Sequence, residues 1–190
     1  MGVVTERQHE FRFEGGATWL NLLATRGQSF GHRPIERLTS PERLADWLAQ
    51  CELTPVRPPT AADLARAREL RQTLSTLALA TVDGDEPPAE LVARAVEFAE
   101  GDSGPVRLAA GEPLRREPPA NPAEALARIA RQALEQLTGP ERRHLVSCAE
   151  HDCRWVFLDP TGRRRWCPSP SCASRGRVRA LRARRKAAAG

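Results

Sequence analysis

A chain of 190 residues with 41% hydrophobic residues and nine aromatics has material for one ordinary globular domain and a small appendage. No run of eighteen apolar residues occurs, which excludes a membrane-spanning helix, and the first sixteen residues lack the apolar core of a signal peptide, so a cytoplasmic location is expected. The formal charge of +5 is unevenly divided: residues 141–190 hold thirteen Arg or Lys against four Asp or Glu, a balance of +9, which leaves −4 on residues 1–140. A preference for Arg, 28 against one Lys, looks like the codon bias of a GC-rich genome; the clustering of the cations at one end has no such explanation.

The N-terminal start is read as loose, since Gly2 is followed by Glu6 where a myristoylation signal wants Ser or Thr. Phe11 to Gly16 suggests a short strand and turn, and Ala17 to Thr25, with Trp19, Leu20, Leu22 and Leu23, a helix. Ser40 is placed to cap a helix with Pro41 at its first position, and Thr60 to cap the run Ala61 to Ala80, whose apolar stripe is Leu64, Ala67, Leu70, Leu74 and Leu77. Asp83 to Pro88 reads as a loop. Pro87 to Glu100 reads as a helix with an apolar face of Leu91, Val92, Ala95, Val96 and Ala99. Pro105 to Ala110 and Glu112 to Arg116 suit a small hairpin. Asn121-Pro122-Ala123-Glu124 opens a helix whose face is Leu126, Ile129, Ala130, Ala133, Leu134 and Leu137, ending at Gly139. The expected fold is α+β: a mainly helical domain over residues 1–140 with a short hairpin, then a small four-cysteine module over 141–190 built from a β-hairpin and a basic helix.

No P-loop, dinucleotide fingerprint, nucleophile elbow or His-Glu-x-x-His occurs, His9 and His32 are isolated, and Asp83, Asp85 and Glu86 offer too few convergent carboxylates for a cation site. A non-enzymatic protein is expected. Cys51 stands alone and reads as a small buried hydrophobe.

Chemistry concentrates in Cys148, Cys153, Cys167 and Cys172, a C-x4-C pair, a thirteen-residue gap and a second C-x4-C pair. Four thiolates suit tetrahedral zinc and leave no open position for catalysis; an iron–sulfur cluster or a redox thiol pair is the competing use of such ligands. His144 and His151 are read as bystanders to the metal or as outer groups. Arg154 to Asp159, Pro160-Thr161-Gly162 and Arg163 to Trp166 read as strand, turn and strand, with Trp155, Phe157 and Trp166 packed beside the metal. A module this short cannot build a sufficient core, so the metal must supply much of its folding free energy.

Beyond Cys172, Ser174 suggests a cap for a helix starting at Arg175, on which Arg175, Arg179, Arg182 and Lys186 share a face while Val178 and Leu181 pack back on the module. The candidate nucleic-acid contacts are Arg175, Arg177, Arg179, Arg182, Arg184, Arg185 and Lys186, with Arg163, Arg164 and Arg165 as a second patch, because guanidinium forks match phosphates and guanine edges. DNA is the expected partner. RNA, stacked on Trp155 or Trp166, or a protein docked on the zinc module are the other readings, and a homodimer would enlarge a small single-module footprint.

Cys148-x4-Cys153-Arg154-Trp155-Val156-Phe157-Leu158-Asp159, Arg165-Trp166-Cys167 and Cys172-x-x-Arg175 with its basic tail resemble the CGNR zinc-finger proteins. The segment with Phe13-Glu14-Gly15-Gly16, the Ser40-Pro41 and Pro59-Thr60-Ala61 starts and Leu137-Thr138-Gly139-Pro140-Glu141 resembles the ABATE domain that precedes such fingers. The resemblance implies a bacterial, stress-related transcription regulator whose finger contacts DNA, with zinc held by Cys148, Cys153, Cys167 and Cys172; an effector of the N-terminal domain is unknown. Ala173-Ser174 stands where the family signature has Gly-Asn, and Ser174 either replaces the Asn as a helix cap or marks a lost base contact.

Overall fold

Three side chains set helix starts in the computed structural model, which describes residues 9–101, 107–110 and 113–187. Ser40 Oγ accepts from Arg43 N at the head of α2 (Pro41–Gln50), and Asn121 Oδ1 accepts from Glu124 N at the head of α5 (Pro122–Thr138). Thr60 and Asp63 form a reciprocal capping box at the head of α3 (Ala61–Asp83), which runs to Gly84, left-handed at φ 77°. Helix α1 (Thr18–Leu23) and α4 (Ala89–Glu100) match their expected segments to within a few residues. Phe11 to Phe13, in contrast, forms no strand.

The strands are short antiparallel pairs: β1 (Arg26–Gly27) with β2 (Ile35–Glu36), β3 (Leu108–Ala109) with β4 (Arg115–Arg116), and β5 (Leu145–Ser147) with β6 (Val156–Leu158). Residues 105–106 and 111–112 of the expected central hairpin, and Gly2, lie outside the described residues. Helix α6 (Pro170–Ala187) closes the described chain. Among the described residues no helix is long and apolar enough to cross a membrane.

The α3 stripe Leu64, Ala67, Leu70, Leu74 and Leu77 is buried throughout, as are Leu126, Ile129, Ala130 and Ala133 of α5, while Leu134 and Leu137 sit half-buried at its margin. These helices close over Trp19, Leu20 and Leu22 of α1 and Trp47 of α2. On α4 Ala95 and Phe98 are buried and Leu91 and Ala99 are half-buried against the same core, whereas Val92 and Val96 are exposed. Of the expected face, Leu91, Ala95 and Ala99 pack on the core and Val92 and Val96 do not, while Phe98 enters the core with the guanidiniums of Arg66 and Arg94 over its ring. A buried polar contact ties the hairpin to α3: Arg71 donates to both carboxylate oxygens of Glu36 and to Thr25 Oγ1. Burial alone would raise the Glu36 pKa, but the hydrogen bonds and charge of Arg71 outweigh it and hold the carboxyl below its ordinary range.

Asp63 carries a measurable part of the α3 start. The Arg57 fork bonds both its oxygens, at 2.9 and 3.1 Å, and with the Thr60 donors holds its pKa down at about 2. A carboxyl with a depressed folded pKa stabilises the protein above its unfolded value, and that contribution disappears as pH falls towards the folded value. Asp63→Asn is therefore expected to cost about 1 kcal/mol at pH 7, read from the urea midpoints of the zinc-loaded variant and wild type.

The C-terminal segment is stitched into this helical body. Trp155 Nε1 donates to Leu20 O at 2.9 Å, Leu158 N donates to Gly15 O at 2.9 Å, and Arg154 grips Asp83 through both its oxygens. Trp155, Val156 and Phe157 belong to the same continuous buried cluster as Leu20 and Leu74. Gly16 takes φ 93°, and a Cβ there would come within 2.8 Å of Leu158 Cβ, so this crossing needs a residue without a side chain.

Candidate metal centre and basic helix

Strand β5 delivers the chain to Cys148, whose N donates to Trp155 O; Cys153 N and Arg154 N both donate to Glu150 O. These bonds curl residues 148–154 into a knuckle, completed by Arg154 at φ 46°. The second knuckle is simpler: Cys172 N donates to Ser169 O in the first turn of α6. All four Sγ atoms are within 4.8 Å of one another, and Cys153 and Cys167 are 4.0 Å apart. Sulfurs tetrahedrally disposed at about 2.3 Å from zinc are about 3.8 Å apart, so the thiols already stand near a zinc geometry.

The four thiols are buried. Mutual hydrogen bonding couples the four thiols: bonding with Cys153 lowers the Cys148 pKa, bonding with Cys148 lowers that of Cys172, and Cys153 and Cys167 are raised. Four thiolates side by side require a cation among them, and a closed set of four cysteines fits structural zinc. Among the described residues the metal-holding group consists of these cysteines alone; His144 and His151 are not part of it.

Two expectations for the finger are corrected by the geometry. Strand β6 pairs with β5, across the first knuckle, and not with residues 163–166. Asp159 is the reason: its carboxylate accepts from Thr161 N, Thr161 Oγ1 and Arg164 N, which holds 159–164 in a loop. Likewise α6 begins at Pro170, well before Arg175, so Ser174 lies inside the helix and caps nothing. Trp166 packs on this helix at Gly176, where a Cβ would meet its Nε1 at 2.5 Å.

Along α6 the arginines divide into two sets. Arg179 Nη1 reaches Glu150 Oε1 at 2.6 Å, and Arg175 bonds Asp152 Oδ1 at 3.1 Å and approaches Glu150 at 3.8 Å. Arg175 Nη2 also lies 3.5 Å from Cys172 Sγ. Arg177, Arg182, Arg184 and Arg185 are exposed, and no ion pair or hydrogen bond engages their side chains among the described residues.

Two family models match the chain. One, described as "Putative stress-induced transcription regulator" and called ABATE, covers residues 16–140, and the second, the CGNR zinc finger, covers residues 144–185. The chain belongs to the ABATE family. No curated protein matches it.

Within the CGNR finger, Val178 and Leu181 are exposed at 46% and 50% and do not pack back on the module. The helix instead rests on Trp166 and on the Glu150 and Asp152 carboxylates. Arg163, Arg164 and Arg165 are exposed beside the cage, with the Arg165 guanidinium 5.4 Å from the Trp166 ring. The Lys186 side chain lies outside the described residues. Trp155 is buried against the ABATE helices and unavailable for stacking, whereas Trp166 is half-buried.

Glu150 is the residue that pattern reading passed over. It is 1% exposed, and it pairs with Arg175 and Arg179 to set the angle at which α6 leaves the cage. Its one sequence signal is a carboxylate inside a C-x4-C turn opposite a basic helix. Glu150→Gln is expected to cost about 1–2 kcal/mol, since both arginines are partly solvated. Thermal melting beside metal analysis checks this: the midpoint falls while zinc content stays.

Proposed function

We propose that the chain is a cytoplasmic DNA-binding transcription regulator, in which the zinc cage orients α6 against the duplex and the ABATE domain supplies the regulatory body. The carrying observation is the set Arg177, Arg182, Arg184 and Arg185, unpaired among the described residues and displayed on a helix whose base is locked to the cage by Arg175 and Arg179. Exposed guanidiniums on a rigid support bind phosphates with little reorganisation, and affinity of this kind falls steeply with salt. Arg163 to Arg165 extend the basic surface on the loop side. The reading gives the chain a binding role and no catalytic one.

Burial of Trp155 removes one of the two stacking platforms a single-strand reader would use, which favours duplex DNA over RNA. The test is a binding titration with duplex DNA and single-stranded RNA of equal length from about 50 to 300 mM salt. Duplex preference with a steep salt slope supports the proposal; binding to neither, or preference for the single strand, overturns it.

A further inference from the structure

A cavity of about 30 Å³ beside the cage is lined by four arginines, Arg12, Arg26, Arg37 and Arg175, and by Cys153 and Cys172, with no Asp or Glu among the described residues that line it. Arg175 has Asp152 and Glu150 as partners, whereas the guanidiniums of Arg12, Arg26 and Arg37 face a space in which, among the described residues, the cysteines are the lining groups able to carry a counter-charge. Arg37, from the residue after β2, is the most deeply committed. It is 1% exposed, its Nε donates to Glu10 O at 2.8 Å, and its Nη1 donates to Ala24 O at 3.0 Å. Its Nη2 is buried with no hydrogen-bond partner among the described residues.

Gly27 makes the room: a Cβ there would stand 2.7 Å from Arg37 Nη1. Glu36, the neighbouring carboxylate, gives both oxygens to Arg71. Burial, with the charge of Arg12, pulls the Arg37 pKa down to about 10, which leaves the guanidinium protonated at neutral pH, and the charges of Glu36 and then Cys153 act in the opposite direction.

We propose that Arg37 is an outer counter-ion of the zinc–thiolate cage, supplied by the ABATE domain, which makes zinc affinity and the fold of that domain interdependent. This rests on the zinc reading of the four cysteines. Four thiolates outweigh a divalent cation, so the loaded cage is a dianion, and donors near its sulfurs stabilise it. Arg175 already serves from the finger side, through its contact to Cys172 Sγ. Arg37 serves from the opposite domain. When the cage holds protons instead of metal, Arg37 keeps its two carbonyl acceptors and the nearby charge of Glu36 but loses the charge of the cage, and linkage requires that its loss weaken zinc binding in return.

The experiment compares the full-length wild type with Arg37→Met, Arg37→Lys and Arg26→Met, measuring zinc affinity by competition with a chromophoric chelator at fixed pH and salt. Arg37→Met is expected to weaken zinc about 10- to 100-fold, Arg37→Lys less, and Arg26→Met by less than about threefold, because Arg26 is only half-buried at the same cavity. A folded Arg37→Met, judged by circular dichroism and gel filtration, that binds zinc within about twofold of wild type overturns the proposal. If that variant does not fold, the wild type decides. Arg37 side-chain N–H resonances in the ¹⁵N-arginine spectrum shift when cadmium replaces zinc if the proposal holds, and an unmoved resonance overturns it. A wild type that purifies with no zinc and takes up none fails at the cage itself, which is distinguishable from failure of Arg37.

Discussion

Stripping the metal is expected to lower the stability of the whole chain and not of the finger alone. A structural zinc site of four cysteines contributes on the order of 10 kcal/mol of folding free energy, comparable with the roughly 5–15 kcal/mol that holds an entire domain. In an isolated finger that loss would be local. Here Trp155, Val156 and Phe157 are buried in one cluster with the ABATE helices, Leu158 N is bonded to Gly15 O, and Trp155 Nε1 is bonded to Leu20 O. A finger that opens therefore exposes the flank of α1. Chelation should release one zinc per chain, lower the melting midpoint of the helical circular dichroism signal by ten degrees or more, and shift Trp fluorescence to the red. Cys167→Ser should do the same without a chelator. A helical melt that stays in place after verified zinc loss would show that the ABATE body stands independently of the cage.

The second large effect concerns α6. Replacing Arg177, Arg182, Arg184 and Arg185 together by Ala should weaken duplex binding by about three orders of magnitude at 0.1 M salt and cut the slope of log K against log salt by up to about 3.6, at about 0.9 per phosphate contact. These side chains have no partners among the described residues, so the melting midpoint should barely move, Ala being the better helix former. Arg175 and Arg179 behave otherwise. They hold Glu150 and Asp152, so their replacement by Ala should lower stability first and weaken binding through the disordered helix angle. An unchanged salt slope in the quadruple variant would remove α6 from the interface.

Helix starts were legible because capping is local: Ser40, Thr60 and Asn121 each reach a backbone N–H three residues on, and no distant residue is needed. The apolar stripes of α3 and α5 were legible for a related reason, since one wide face of an amphipathic helix has one place to go. On α4 the same periodicity held for Leu91, Ala95 and Ala99 and failed at its margin, where Phe98 is buried and Val92 and Val96 are exposed. Finger pairing was misread where Asp159 locked the expected return strand into a loop.

Thiol chemistry and spacing by themselves determined the metal centre, since four cysteines in two short pairs can converge on one ion whatever surrounds them. The residue counts by themselves placed the excess of positive charge at the C-terminal end. Which arginines are free was decided by the tertiary structure alone. Arg175 and Arg179 differ from Arg182 in facing the buried Glu150 with His151 and Asp152, and Arg37 lines one cavity with Cys153 and Cys172 from more than a hundred residues away. A guanidinium has the same charge wherever it stands, so its role depends on the partner that folding brings to it.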